Sequence, residues 1–217
     1  MLLDLDGTLL DTAPDLAAAA NRLLASLGRA PLAEERVRDF IGKGIANLVR
    51  CALTETGGAP SESEYRRSLA EFESIYLAGV ADRSRPFPGV VAGLEAFRAA
   101  GLGLACVTNK VGRFTEPLLR ETGLRGYFGA VVSGDSVANR KPHPEPFLAA
   151  AALLGVPPAE AWVIGDSAND VEAARAAGCP VAVVPYGYRE GLPLEALGAD
   201  AVVASLEAAA GSITMPR

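Results

Sequence analysis

The chain has 217 residues, half of them hydrophobic and 21% charged, a composition suited to one globular core or to a core carrying a large insertion. Its net charge of −6 weighs against nucleic acid or an acidic membrane surface as partner, but leaves room for a small anion at a locally positive site. No apolar run approaches the ~20 residues of a membrane span, no charged-then-apolar leader opens the chain, and Cys51, Cys106 and Cys179 form no CxxC pair, so reduced thiols in a cytoplasmic protein are expected.

The first apolar run, "MLLDL", reads as a buried strand, with little chain ahead of Asp4. After Asp11, roughly 75 residues carry no strand pattern. Four amphipathic helices fill them: "PDLAAAANRLLASLG", with Pro14 near the helix start, "LAEERVRDFIG", "IANLVRCALTETGG" and "SESEYRRSLAEFESIYLAG". "SRPFPGV" then opens a different rhythm. The strand-like runs "LGLACVT", "GAVVS", "AWVIGD", "PVAVVP" and "ADAVVA" follow, most of them separated by helical stretches. Three of those stretches, "FTEPLLRETG", "PEPFLAAAALLG" and "ANDVEAARAAG", stop at a glycine suited to a helix C-cap. Strands alternating with helices predict right-handed βαβ units and an α/β fold, a Rossmann-like parallel sheet covered on both faces. Residues 1–12 and 86–217 would form that core, and 13–85 an inserted all-helical domain. The tail "GSITMPR" is expected to be loose.

Ligands of an open parallel sheet bind beyond the carboxyl ends of its strands. The residues there are Asp4 and Asp6, Thr108 and Asn109, Asp135 and Asp166, joined by Lys141 of "NRKPHPEPF" and Asp170 of "GDSAND". Asp4 and Asp6 would share one side of an extended chain and repel each other. Acids at this density call for a cation, and oxygen-only ligands beside a phosphate favour Mg²⁺. Asp135 divides evenly between a turn cap and a site role. His143, the only histidine, reads as a loop-packing residue, and Trp162 as core.

Taken in order, "DLDGTLLD", "VTN", the Lys141 of "RKP" and "GDSAND" resemble the four motifs of the haloacid dehalogenase superfamily, and the helical insertion matches its cap of the first type. The resemblance spans nearly the whole chain. It implies that Asp4 is the nucleophile forming an aspartyl-phosphate and that Asp6 is the acid–base group. It further implies that Thr108 and Lys141 bind the phosphoryl group, and that Mg²⁺ sits among Asp4, the Asp6 carbonyl and Asp166. Asp170 would support the metal shell or orient Lys141. The dehalogenase and phosphonate-cleaving branches lack an acid at the position of Asp6, so a phosphate ester is implied.

Substrate choice would lie in the cap, at "FIGKGIANLV". Gly42 and Gly44 permit a close backbone approach, and Lys43 would meet a substrate carboxylate or simply open the next helix. Asn109 joins the expected substrate contacts. This segment, "VTNK", "SGDSVANRKPHPEPF" and "YGYREG" resemble bacterial phosphoglycolate phosphatases, which implies 2-phosphoglycolate as substrate. Another small phosphorylated metabolite, a sugar-phosphate mutase, or a non-catalytic relative are the alternatives. A homodimer is left open.

Overall fold

The computed structural model describes residues 1–189 and 191–212. All six strand-like runs become strands of one parallel sheet: β1 (Leu2–Leu3), β4 (Ala105–Val107), β5 (Ala130–Val132), β6 (Val163–Gly165), β7 (Val181–Val183) and β8 (Ala201–Val202). Their spatial order is β5-β4-β1-β6-β7-β8. These residues make strands because both faces of the sheet are buried. Leu2 packs on one side, with Phe147 and Val171 of α7 (Glu145–Leu154) and α8 (Ala168–Ala177). Its neighbour Leu3 packs on the other, with Leu94, Phe114 and Leu206 of α5 (Val90–Ala99), α6 (Gly112–Glu121) and α9 (Leu206–Ser212). All three predicted glycine stops hold: Gly123, Gly155 and Gly178, after α6, α7 and α8, adopt φ of 75°, 68° and 75°.

Between the first and second sheet strands run α1 (Ala13–Ser26), α2 (Glu34–Arg38), α3 (Ile45–Gly57) and α4 (Glu62–Leu77). The stretch "LAEERVRDFIG" is helical only over α2 and then turns. Leu16, Leu48 and Phe72 of this helical segment share one apolar cluster with Leu3 and Phe114 of the sheet layer, so the insertion packs down on the core. The segment enters and leaves through a short antiparallel ribbon the sequence did not announce, β2 (Leu10–Asp11) paired with β3 (Arg85–Pro86). Asp15 braces it: its carboxylate accepts the backbone N–H groups of Arg83 and Ser84 and the Ser84 hydroxyl, at 2.6–3.0 Å. Among the described residues no helix is long and apolar enough to cross a membrane. The tail expected to be loose lies, from 213 onward, outside the described residues, as does Glu190 of "YGYREG".

Candidate active site

The chain runs outward from central β1 through β4 and β5, then returns to β6 on the other side. The carboxyl end of β1 is therefore the switch point where such sheets bind ligands. Asp4 follows it directly, its backbone N–H held by the Ile164 carbonyl at 3.0 Å. Asp4 and Asp6, two residues apart just beyond the end of β1, line the same cleft, as their spacing suggested. The chain turns at Gly7, in the left-handed region at φ 91°, and each acid meets its own ammonium.

Lys141 Nζ donates to Asp4 Oδ1 at 2.6 Å, Asp170 Oδ1 at 2.7 Å and the Val107 carbonyl at 2.9 Å, which uses all three of its protons. Asn109 clamps the Lys141 backbone: Oδ1 accepts its N–H and Nδ2 donates to its carbonyl, both at 2.9 Å. The same Nδ2 reaches the Gly42 carbonyl of the helical segment at 3.0 Å. Asp170 Oδ2 accepts the Ser167 hydroxyl at 2.7 Å. Asp170 thus holds Lys141 through one oxygen and the start of α8 through the other. Asp166 receives the Thr8 hydroxyl at 2.7 Å and the Tyr188 N–H at 2.5 Å. Asp6 Oδ1 receives the Thr12 hydroxyl at 2.6 Å and Lys110 Nζ at 3.1 Å. Thr108 Oγ1 accepts the Lys110 N–H at 3.1 Å, leaving its own proton to donate.

Burial is the largest influence on the acids. It pushes the Asp4 carboxyl up to about 7 and Asp166 well above the carboxylate range, reinforced by the neighbouring acids. For Lys141, burial opposes the charge, but Asp170 and Asp4 outweigh it and hold the ammonium above the usual lysine value. One carboxylate oxygen from each of Asp4, Asp166 and Asp170 lies within 4.8 Å of the others. Asp6 and Lys110 balance each other, so three buried carboxylates face one ammonium, Lys141. Ionised together, as a bound cation would hold them, they leave two negative charges beyond that ammonium, the complement of a divalent cation, and an all-oxygen set fits a hard one.

Above these groups Leu16, Ile41, Ile45 and Leu48 of the helical segment form an apolar wall over the cleft. Asp4, Asp6, Thr108, Asn109, Lys141 and Asp166 all line it. Lys43 does not: it is exposed, while Gly42 and Gly44 on either side line the cleft at φ 109° and 86°. Asp135 is exposed and accepts the Gly112 N–H at 2.8 Å, at the start of α6, which makes it a turn cap. His143 is an exposed loop residue whose Nδ1 accepts the Glu145 N–H at 3.3 Å.

Two participants carried no assignment in the sequence. Lys110 follows Thr108 by two residues at the exit of an apolar strand and closes the "VTNK" stretch, which gave it no role of its own. Tyr188 of "YGYREG" accepts the Thr12 and Ala13 N–H groups on its hydroxyl at 2.9 and 3.1 Å and donates to Asp11 at 2.6 Å. Arg38 of the helical segment pairs with the same Asp11 at 3.0 Å.

The model of the haloacid dehalogenase-like hydrolases matches residues 1–178. A phosphoglycolate phosphatase of Thiobacillus denitrificans is 50% identical over 215 residues, covering 99% of this chain and 95% of that protein. The crystal structure of a predicted phosphoglycolate phosphatase from Haemophilus somnus matches with a TM-score of 0.88 at 32% identity, over 95% of this chain and 93% of that one. CbbY from Rhodobacter sphaeroides, solved in complex with phosphate, matches with a TM-score of 0.79 at 28% identity and the same coverage, 95% and 93%. Motifs, sheet order and relatives agree: the chain belongs to the haloacid dehalogenase-like hydrolase family.

Proposed function

We propose that this enzyme is a phosphoric monoester hydrolase that converts 2-phosphoglycolate to glycolate and phosphate through an aspartyl-phosphate on Asp4. The observation that carries the reading is the buried Asp4 at the sheet switch point, held by Lys141 at 2.6 Å with the Asp6–Lys110 pair beside it. Lys141 engages Oδ1 of Asp4, so Oδ2 is the oxygen that attacks phosphorus. The phosphorus–alkoxide bond breaks as the bond to Asp4 forms, and Asp6 gives the departing oxygen its proton. Water then attacks phosphorus, the bond to Asp4 breaks to release inorganic phosphate and the free carboxylate, and Asp6 takes a proton from the water. Thr108 and Lys141 steady the phosphoryl oxygens throughout. Asp4, Asp166 and the Asp6 carbonyl would hold Mg²⁺, which would supply positive charge that lets a carboxylate approach a phosphate.

The helical segment walling the cleft supports a substrate enclosed between the two layers, and the phosphoglycolate phosphatases among the relatives support the two-carbon acid. The segment over the cleft acts as a specificity cap in this reading. Cytoplasmic residence accords with three free cysteines. The test is a phosphate-release screen over small phosphomonoesters, with and without Mg²⁺. 2-Phosphoglycolate should be hydrolysed with the highest kcat/KM and only with the metal. Faster turnover of another ester overturns the substrate and leaves the chemistry. A long-lived phosphoenzyme points to the mutase.

A further inference from the structure

Lys110 has no part in the reaction as described above, yet it is among the most buried charges in the protein, at 4% exposure. It leaves β4 just before α6, with its Nζ 3.1 Å from Asp6 Oδ1 and 5.0 Å from the ring centre of Tyr76 on α4. The Tyr76 side chain, buried to its hydroxyl, lies beside the ammonium. That ring is fixed in turn, tilted against Phe114 at a centroid distance of 5.4 Å, and Arg113 pairs with Glu73 alongside. A buried lysine costs several kcal/mol unless it is paired, and the partner here is a carboxylate that must point in one direction to work.

We propose that Lys110 is a positioning residue for the reaction. Together with the Thr12 hydroxyl, 2.6 Å away on the same oxygen, it pins Oδ1 of Asp6 and so presents Oδ2 to the leaving-group oxygen. Two donors converging on one oxygen restrict rotation of the carboxylate, which a single hydroxyl contact would leave freer. The ring of Tyr76 seats the ammonium from the cap side. The proposal rests on Asp6 being the group that protonates the leaving alkoxide.

The experiment compares two esters, 2-phosphoglycolate, whose alkoxide needs a proton, and p-nitrophenyl phosphate, whose phenolate leaves with little help. Wild type, Asp6→Asn and Lys110→Met are measured for kcat/KM on both, with the inhibition constant of inorganic phosphate for each. Asp6→Asn should lose ~10²-fold or more on the alkyl ester and far less on the aryl ester. Lys110→Met should repeat that asymmetry at roughly ten- to a hundredfold, with phosphate inhibition unchanged, and should add little in the Asp6→Asn background. Equal losses on both esters, or phosphate inhibition weakened alongside, overturn the proposal while Asp6 keeps its role. If Asp6→Asn itself shows no leaving-group dependence, the reading of Asp6 fails and takes the proposal with it. Should Lys110→Met not fold, Lys110→Gln, which retains a donor, carries the same comparison.

Discussion

Lys141→Met replaces an ammonium by an apolar chain of similar length at a site only 5% exposed. The wild-type Nζ has an acceptor for each proton, two of them carboxylate oxygens at 2.6 and 2.7 Å. Removing it leaves Asp4 and Asp170 buried without their cation, a change that costs ~3–5 kcal/mol when one partner of a buried pair is deleted. The loss should depend on pH in a definite sense. Lys141 stays charged across the neutral range, since its acidic partners raise it further, so its stabilisation is fully present there. The carboxylates supply the pH dependence: burial already pushes Asp4 up to about 7, and in the variant it takes a proton more readily still. Urea unfolding of metal-free protein should therefore show the full deficit at pH 8 and a smaller one at pH 5. Turnover should fall by at least ~10²-fold. A deficit below ~1 kcal/mol at pH 8, or one that grows on acidification, would refute the reasoning.

Asp4→Asn should abolish turnover while leaving a folded protein within ~1 kcal/mol of wild type or above it, because it removes one of the mutually repelling buried acids; circular-dichroism melts beside phosphate release check both. In metal-free wild type, the Asp4 pKa stands near 7 in the folded state against 3.8 for a free carboxyl. The folded state thus binds the extra proton, and stability should fall as pH rises from about 4 to about 7. The increase in Tm on adding Mg²⁺ should accordingly be larger at pH 8 than at pH 5, and the reverse order in thermal melts would contradict it. Gly7→Ala places a Cβ 2.3 Å from Asp166 Oδ2 at a residue with φ 91°. It should lower stability by ~2 kcal/mol or more and weaken Mg²⁺ binding at least tenfold in calorimetric titration.

The sheet was legible because its strands are buried on both faces: "MLLDL" and "PVAVVP" are apolar without alternation, and Leu2 and Leu3 pack on opposite sides. The β2–β3 ribbon was not, since two-residue strands show no periodicity and exist only by pairing Leu10 with Pro86 across the whole helical segment. The acids and Lys141 were legible by motif order, but what each one touches was not. Asp170 was open between metal support and lysine orientation, and its contacts, Lys141 on one oxygen and Ser167 on the other, appear only in the fold. The two lysines make the same point. Lys43 lies between two glycines whose positive φ values bring their backbone to the cleft while the side chain sits on the surface. Lys110, which the sequence showed only as the end of "VTNK", is buried against Asp6. Burial of a single lysine is a tertiary property, and neither local pattern encodes it.

The central claim, that Asp4 carries the phosphoryl group of 2-phosphoglycolate, is tested most directly by trapping it. Enzyme mixed with 2-phosphoglycolate and Mg²⁺ is quenched within one turnover, reduced with borohydride, and mapped by peptide mass spectrometry. The account predicts an acyl-phosphate reduction product at Asp4 alone, absent without Mg²⁺. Turnover of the substrate with Asp4 unmodified and a modification at another residue would contradict it.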